Sequence, residues 1–209
     1  MKQNRSIFLS AGVPDPSAKH FMGEGDTAAI SALVSALLFV ALGRRPIVWG
    51  GHPAITPMIW AYAEALDVDY GRWVTLYQSE FFKDDFPEEN ARFGNVIVTE
   101  AVQGDRERSL RIMRHRMLSE NSFEAAVFAG GMSGIFDEYR LVTELAAQAT
   151  ILPIVSTGGA AAVLGTEIKA SRDLSEELDY VALLFGHLKI DPNERRNDPR
   201  DGEDLLPGF

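Results

Sequence analysis

A chain of 209 residues, nearly half of them hydrophobic, can bury one substantial core and is no longer than a single α/β domain needs. Thirty acidic against twenty basic residues leave a net charge of −10, a negative far field that opposes polyanions, so nucleic acid is not an expected partner. The absence of cysteine excludes disulfides, thiolate metal sites and cysteine nucleophiles.

Short β-rich apolar runs alternate with helical patterns along most of the chain. That alternation predicts an α/β fold, a Rossmann-like three-layer sandwich with a mostly parallel central sheet of six or seven strands. The first strand is expected over 6–10 ("SIFLS"), followed by a loop from Ala11 to Gly25 whose length without periodicity suits a functional segment. A helix is expected over 27–42, with Asp26 or Thr27 as its N-cap and Gly43 as a left-handed stop. It is apolar nearly all round, so something besides the sheet must cover it. A second subunit would do so, and a homodimer or higher homo-oligomer is expected. Its roughly fifteen helical positions fall short of the ~18 needed to cross a bilayer, and no membrane partner is expected.

Further strands are expected over 46–50, 73–78, 95–100, 124–130 and 150–156, with a seventh over 180–186, and helices near 54–66, 105–119, 135–148 and 160–169. Residues 1–190 then form one domain. The tail 191–209, charged and rich in Pro and Gly, is expected to be loosely ordered unless its "LLPGF" end docks on a neighbour. The apolar run before the Gly-Val-Pro-Asp break near the start is too short for a signal-peptide core, so a cytoplasmic location is expected.

Ligands of an open parallel sheet bind outside the carboxyl ends of its strands, where helix starts present unpaired N–H groups. Strand one delivers Ser10 and Gly12 to that edge, and strand two delivers Gly50, Gly51 and His52. Strand three delivers Ser79 and Glu80, strand four Glu100, and strand six Thr157, Gly158 and Gly159. Strand five delivers Gly130, Gly131, Ser133, Gly134, Asp137 and Glu138. Three Gly-Gly pairs at strand-to-helix turns point to phosphate, because such turns let the main chain approach a ligand at a partially positive helix start. The plainer reading is that the glycines only make tight turns and allow close packing. No Walker A sequence, dinucleotide fingerprint after the first strand, nucleophile elbow or H-E-x-x-H motif occurs; no cofactor and no metal is expected. On the helix before strand five, Leu110, Met113 and Met117 form an apolar stripe flanked by Arg114 and Arg116, and periodicity alone does not say which arginine turns inward.

In order and spacing, "PIVWGGHPAITPMIW", "MRHRM" and "VFAGGMSGIFDE" resemble the signature segments of the SLOG superfamily, which takes in the Lonely Guy (LOG) phosphoribohydrolases, the lysine-decarboxylase-like proteins and the DprA/SMF proteins. The resemblance covers most of residues 6–160 and implies a Rossmann-like nucleotide-binding domain. It places Arg116 on the family's helix arginine, Gly130 and Gly131 on its paired glycines, Ser133 and Gly134 on its phosphate-gripping pair, and Asp137, or Glu138 with one residue inserted, on its acidic position. Ala129 stands where the family has proline, Ser-Gly replaces Gly-Thr, and the later glycines of the second turn are missing. "LSAGVPDP" and "GGMSGI" are similar to SLOG proteins found beside TIR or sirtuin domains in bacterial defence. The resemblance thus implies a sensor that binds a nucleotide or NAD-derived ligand, such as ADP-ribose, through its phosphorylated ribose. Ser10, Gly12, Gly50, Gly51, His52, Gly130, Gly131, Ser133 and Gly134 would hold the base and phosphates. The alternative is a LOG-like phosphoribohydrolase cleaving the N-glycosidic bond of a nucleoside 5′-monophosphate, with Arg116, Asp137 and Glu138 as catalytic groups. A third reading is a structural unit with a degenerate pocket.

Overall fold

A computed structural model describes residues 5–66 and 73–197 of the chain. Six strands form one sheet: β1 (Ser6–Gly12), β2 (Ile47–Trp49), β3 (Val74–Ser79), β4 (Asn95–Thr99), β5 (Phe123–Gly130) and β6 (Thr150–Ile154). Their order is β4-β3-β2-β1-β5-β6 and every pairing is parallel. The chain adds β2, β3 and β4 on one side of β1, then crosses over to add β5 and β6 on the other. The order therefore reverses between β1 and β5, where Gly12 is in register with Gly130.

Alternation along the strands builds two cores. Ile7 and Leu9 of β1 face one side with Trp49, Leu76 and Val127, while Phe8 faces the other with Val48, Tyr77 and Phe128. Helices α1 (Thr27–Ala41) and α2 (Thr56–Ala65) cover the first side; α3 (Arg106–Ser119), α4 (Gly134–Leu145) and α5 (Gly159–Glu167) cover the second. Three short 3₁₀ segments, Glu80–Asp85, Glu88–Arg92 and Val155–Thr157, and a five-residue helix, α6 (Arg172–Glu176), lie in the connections among the described residues. The expected N-cap is present: the Asp26 carboxylate accepts from the Ala29 N–H at 2.9 Å.

The segment expected as a seventh strand is a helix, α7 (Tyr180–Leu188). Its buried residues Tyr180, Leu183, Leu184 and Leu188 follow a helical period, and the Asp179 side chain caps its start, accepting from Ala182 N–H at 3.0 Å. This helix covers α1, with Phe39 and Phe185 edge to face at 6.3 Å between ring centres. The α1 face turned away from the sheet is thus covered, at least in part, within the chain by α7.

The first residues of the tail are held. Arg44 donates to the Glu194 carbonyl at 2.7 Å, Arg45 pairs with the Glu194 carboxylate at 2.6 Å, and Arg196 donates to the Phe39 and Leu42 carbonyls at the end of α1. The "LLPGF" segment lies outside the described residues. Among the described residues no helix is long and apolar enough to cross a membrane.

Candidate functional site

At the carboxyl ends of β1, β2, β3 and β5 the loops leave a cleft of about 710 Å³, at the point where the strand order reverses. One wall is the start of α4. Its first turn is reached from β5 through Gly131, whose φ of +69° turns the chain and whose N–H donates to the Gly12 carbonyl at 2.7 Å. The Ser133 side chain does not cap this helix, and the N–H groups of Met132, Ser133 and Gly134 have no backbone acceptor among the described residues. Met132, Ser133 and Gly134 all line the cleft. Donors on a helix start facing a cavity suit an anion.

Beside them lies a polar cluster. Glu138 is fixed on both oxygens: Ser10 Oγ donates to Oε2 at 2.5 Å and Arg114 Nε donates to Oε1 at 3.1 Å. Arg114 Nη1 reaches Asp137 Oδ2 at 3.2 Å, and Arg140 stands 3.6 Å from the other Asp137 oxygen. The Glu138 side chain is 15% exposed and that of Asp137 49%, so Glu138 takes the inward position and Asp137 the rim. The Arg114 guanidinium crosses the first turn of α4 at Gly134, where an added Cβ would come within 2.4 Å of Nη2. Only a glycine lets it lie there. Nη2 has no acceptor among the described residues and remains available to a ligand.

Arg116, the arginine expected at the site, is elsewhere. It pairs with Glu120 at 2.6 Å, on the flank of α3 where Tyr77 also donates to Glu120, and does not line the cleft. With Met113 and Met117 facing the core, residues 114 and 116 emerge on opposite flanks, because two helical steps turn about 200°. Gly130 is also outside the cleft; a Cβ there would meet Ile30 and the Gly12 carbonyl. The Gly158-Gly159 pair packs against the Glu24 carbonyl and the Gly130-Gly131 backbone. For these glycines close packing accounts for the residue. Ser10, Gly12, Gly50, Gly51, His52, Gly131, Ser133, Gly134, Asp137 and Glu138 are brought together as expected.

His52 follows the second turn, and its Nδ1 accepts from the Ala54 N–H at 3.2 Å. Burial lowers its pKa below the ordinary histidine value, so at neutral pH the ring is uncharged with its proton on Nε2, a donor. The far wall was not anticipated. It consists of Gln78 near the end of β3, Phe82 in the 3₁₀ segment that follows and Phe86 just after it, and Leu110 and Met113 of α3. Of the residues expected at the end of the third strand, Ser79, the last residue of β3, lines the cleft, while Glu80 is exposed and does not. Among the described residues no group of three His, Asp or Glu side chains could hold a metal ion.

Neither the curated proteins nor the solved structures searched contain a match to this sequence. A family model described as the SLOG cluster3 family matches residues 20–188, the span from the first loop to the end of α7. That span contains every wall of the cleft except the β1 end, and the chain belongs to the SLOG cluster3 family.

Proposed function

We propose that the cleft binds a nucleotide or NAD-derived ligand through its phosphorylated ribose, and that the protein is a sensor of such a ligand in bacterial nucleotide signalling or defence. The observation that carries this reading is the adjacency of two complementary features. Uncapped N–H groups of the α4 start can donate to a phosphate, and one helical turn away the Glu138 carboxylate, held by Ser10 and Arg114, can accept from ribose hydroxyls. Family membership supports a nucleotide-related role.

Hydrolysis of the N-glycosidic bond is the second reading, favoured by a carboxylate placed where an oxocarbenium-like charge would develop. Against it, Glu138 is engaged by Ser10 and Arg114, which lowers its basicity toward water, and the freer Asp137 lies on the rim.

The test is incubation with AMP, NAD and ADP-ribose, followed by thermal shift and chromatography for free base. A ligand at a hundredfold excess over its Kd should raise the melting temperature by about 5–10 °C. Stabilisation without base release supports the sensor. Base release abolished by Glu138→Gln or Asp137→Asn supports the hydrolase, and no stabilisation by any of the three contradicts both.

A further inference from the structure

Among the described residues, Gln78 is the one amide side chain that lines the cleft. It is only 8% exposed, it faces the cleft from the end of β3, and its carboxamide has no hydrogen-bond partner among the described residues. Its amide nitrogen and oxygen are not sealed from solvent, so donor and acceptor both open onto the cleft and are free to meet a ligand. The position is also prepared. Gly51, with φ +73°, lies directly beneath, and a Cβ there would overlap the Gln78 Nε2 at 1.8 Å. A glycine in the second turn thus makes the room in which this amide lies.

Three features around Gln78 fit a flat heteroaromatic ring. Phe82 presents an aromatic surface, packed edge to face on Phe81 at 5.1 Å, and the Arg106 guanidinium lies 5.6 Å from its centre. Leu110 and Met113 close the same end with apolar side chains. The distance is also suitable. From the β5 end, where the α4 amides begin, to the β3 end is three strand spacings, roughly 14 Å. A sugar phosphate alone is too short to span it, and a purine carried on that sugar reaches further than a pyrimidine.

We infer that Gln78 is a specificity-determining residue that reads the edge of a purine base, donating from its amide nitrogen and accepting at its carbonyl oxygen. The inference rests on the nucleotide reading of the cleft. A carboxamide matches any base edge with a donor beside an acceptor, such as the 6-amino group of adenine and its neighbouring ring nitrogen. It discriminates against a purine that lacks the exocyclic group, because the amide oxygen is then left unpaired in a buried site.

The test uses the full chain in calorimetric titrations with AMP, GMP, purine riboside 5′-monophosphate and ribose 5-phosphate, on the wild type, Gln78→Leu and Gln78→Glu. In the wild type, AMP should bind more tightly than both ribose 5-phosphate and the unsubstituted purine nucleotide. Gln78→Leu should weaken AMP about ten- to hundredfold while leaving ribose 5-phosphate unchanged, which also shows that the variant is folded. Gln78→Glu removes the donor and should shift preference toward GMP, whose edge offers two adjacent donors. If AMP binds no better than ribose 5-phosphate, or if Gln78→Leu weakens both equally, base reading by Gln78 is overturned while the nucleotide site stands. If the wild type binds neither nucleotide nor ribose 5-phosphate, the nucleotide reading falls and the inference falls with it.

Discussion

Ser10 and Glu138, 128 residues apart in the chain, meet at 2.5 Å where β1 and α4 flank the crossover of the sheet. The other Glu138 oxygen belongs to Arg114, so three elements hold one carboxylate in place. Glu138→Gln keeps the shape and removes the charge that Arg114 faces. Because both side chains of that pair are largely buried, the loss should be about 2 kcal/mol, or roughly 4–8 °C in melting temperature. Affinity for a ribose-containing ligand should fall at least tenfold. Equilibrium urea unfolding and calorimetric titration check the two parts separately.

The arginines of α3 give an internal control. Arg114→Gln should abolish most ligand binding, because it removes the free Nη2 donors and the clamp on Glu138. Arg116→Gln breaks only an exposed pair with Glu120 and should leave binding unchanged. A binding titration of both variants side by side decides which arginine serves the cleft.

Gly134→Ala tests the room that the Arg114 guanidinium uses. Its methyl group would come within 2.4 Å of Arg114 Nη2 and push the guanidinium away from Glu138, so ligand affinity should fall. Alanine is the better helix former by at most about 1 kcal/mol, which offsets only part of the lost pair. The thermal midpoint should therefore fall by less than in Glu138→Gln, and thermal shift and titration together check both effects.

His52 predicts a pH dependence with a definite sign. Its folded pKa is lowered by burial, so the unfolded chain takes up the proton first as pH falls. Its contribution to stability is therefore full above about pH 6.5, the ordinary histidine value, and is lost on acidification below it. Unfolding free energies measured at pH 8, 6.5 and 5 should decline less steeply in His52→Gln than in the wild type.

The α7 helix is a further point of test. Asp179→Ala removes its N-cap and should cost about 1 kcal/mol. Leu184→Ala opens a cavity against α1 and should cost about 2–5 kcal/mol. Thermal denaturation of both variants measures how much of the fold depends on this cover.

The strands and most helices were legible because a parallel sheet buried on both faces writes short apolar runs that end in Gly or polar residues. The same rule misled at 180–186, where "YVALLFG" is equally apolar as strand or helix. The deciding signal was the capping Asp179 with buried positions at helical spacing. At the cleft, the strand ends and glycine turns pointed to Ser10, Gly51 and Ser133, which line it. Arg114 was not distinguishable from Arg116 because the α3 stripe is symmetric about Met113 and Met117, and only the position of α4 breaks that symmetry. Gln78 was missed because β3 runs one residue further than its apolar pattern suggests.

The most direct measurement is an amide NMR titration with ADP-ribose or AMP. Saturable shifts of the Met132, Ser133 and Gly134 N–H signals, tracking together with Gly51 at one Kd, are the predicted result. Full occupancy by calorimetry with those three amides unmoved would contradict a phosphate seated at the start of α4.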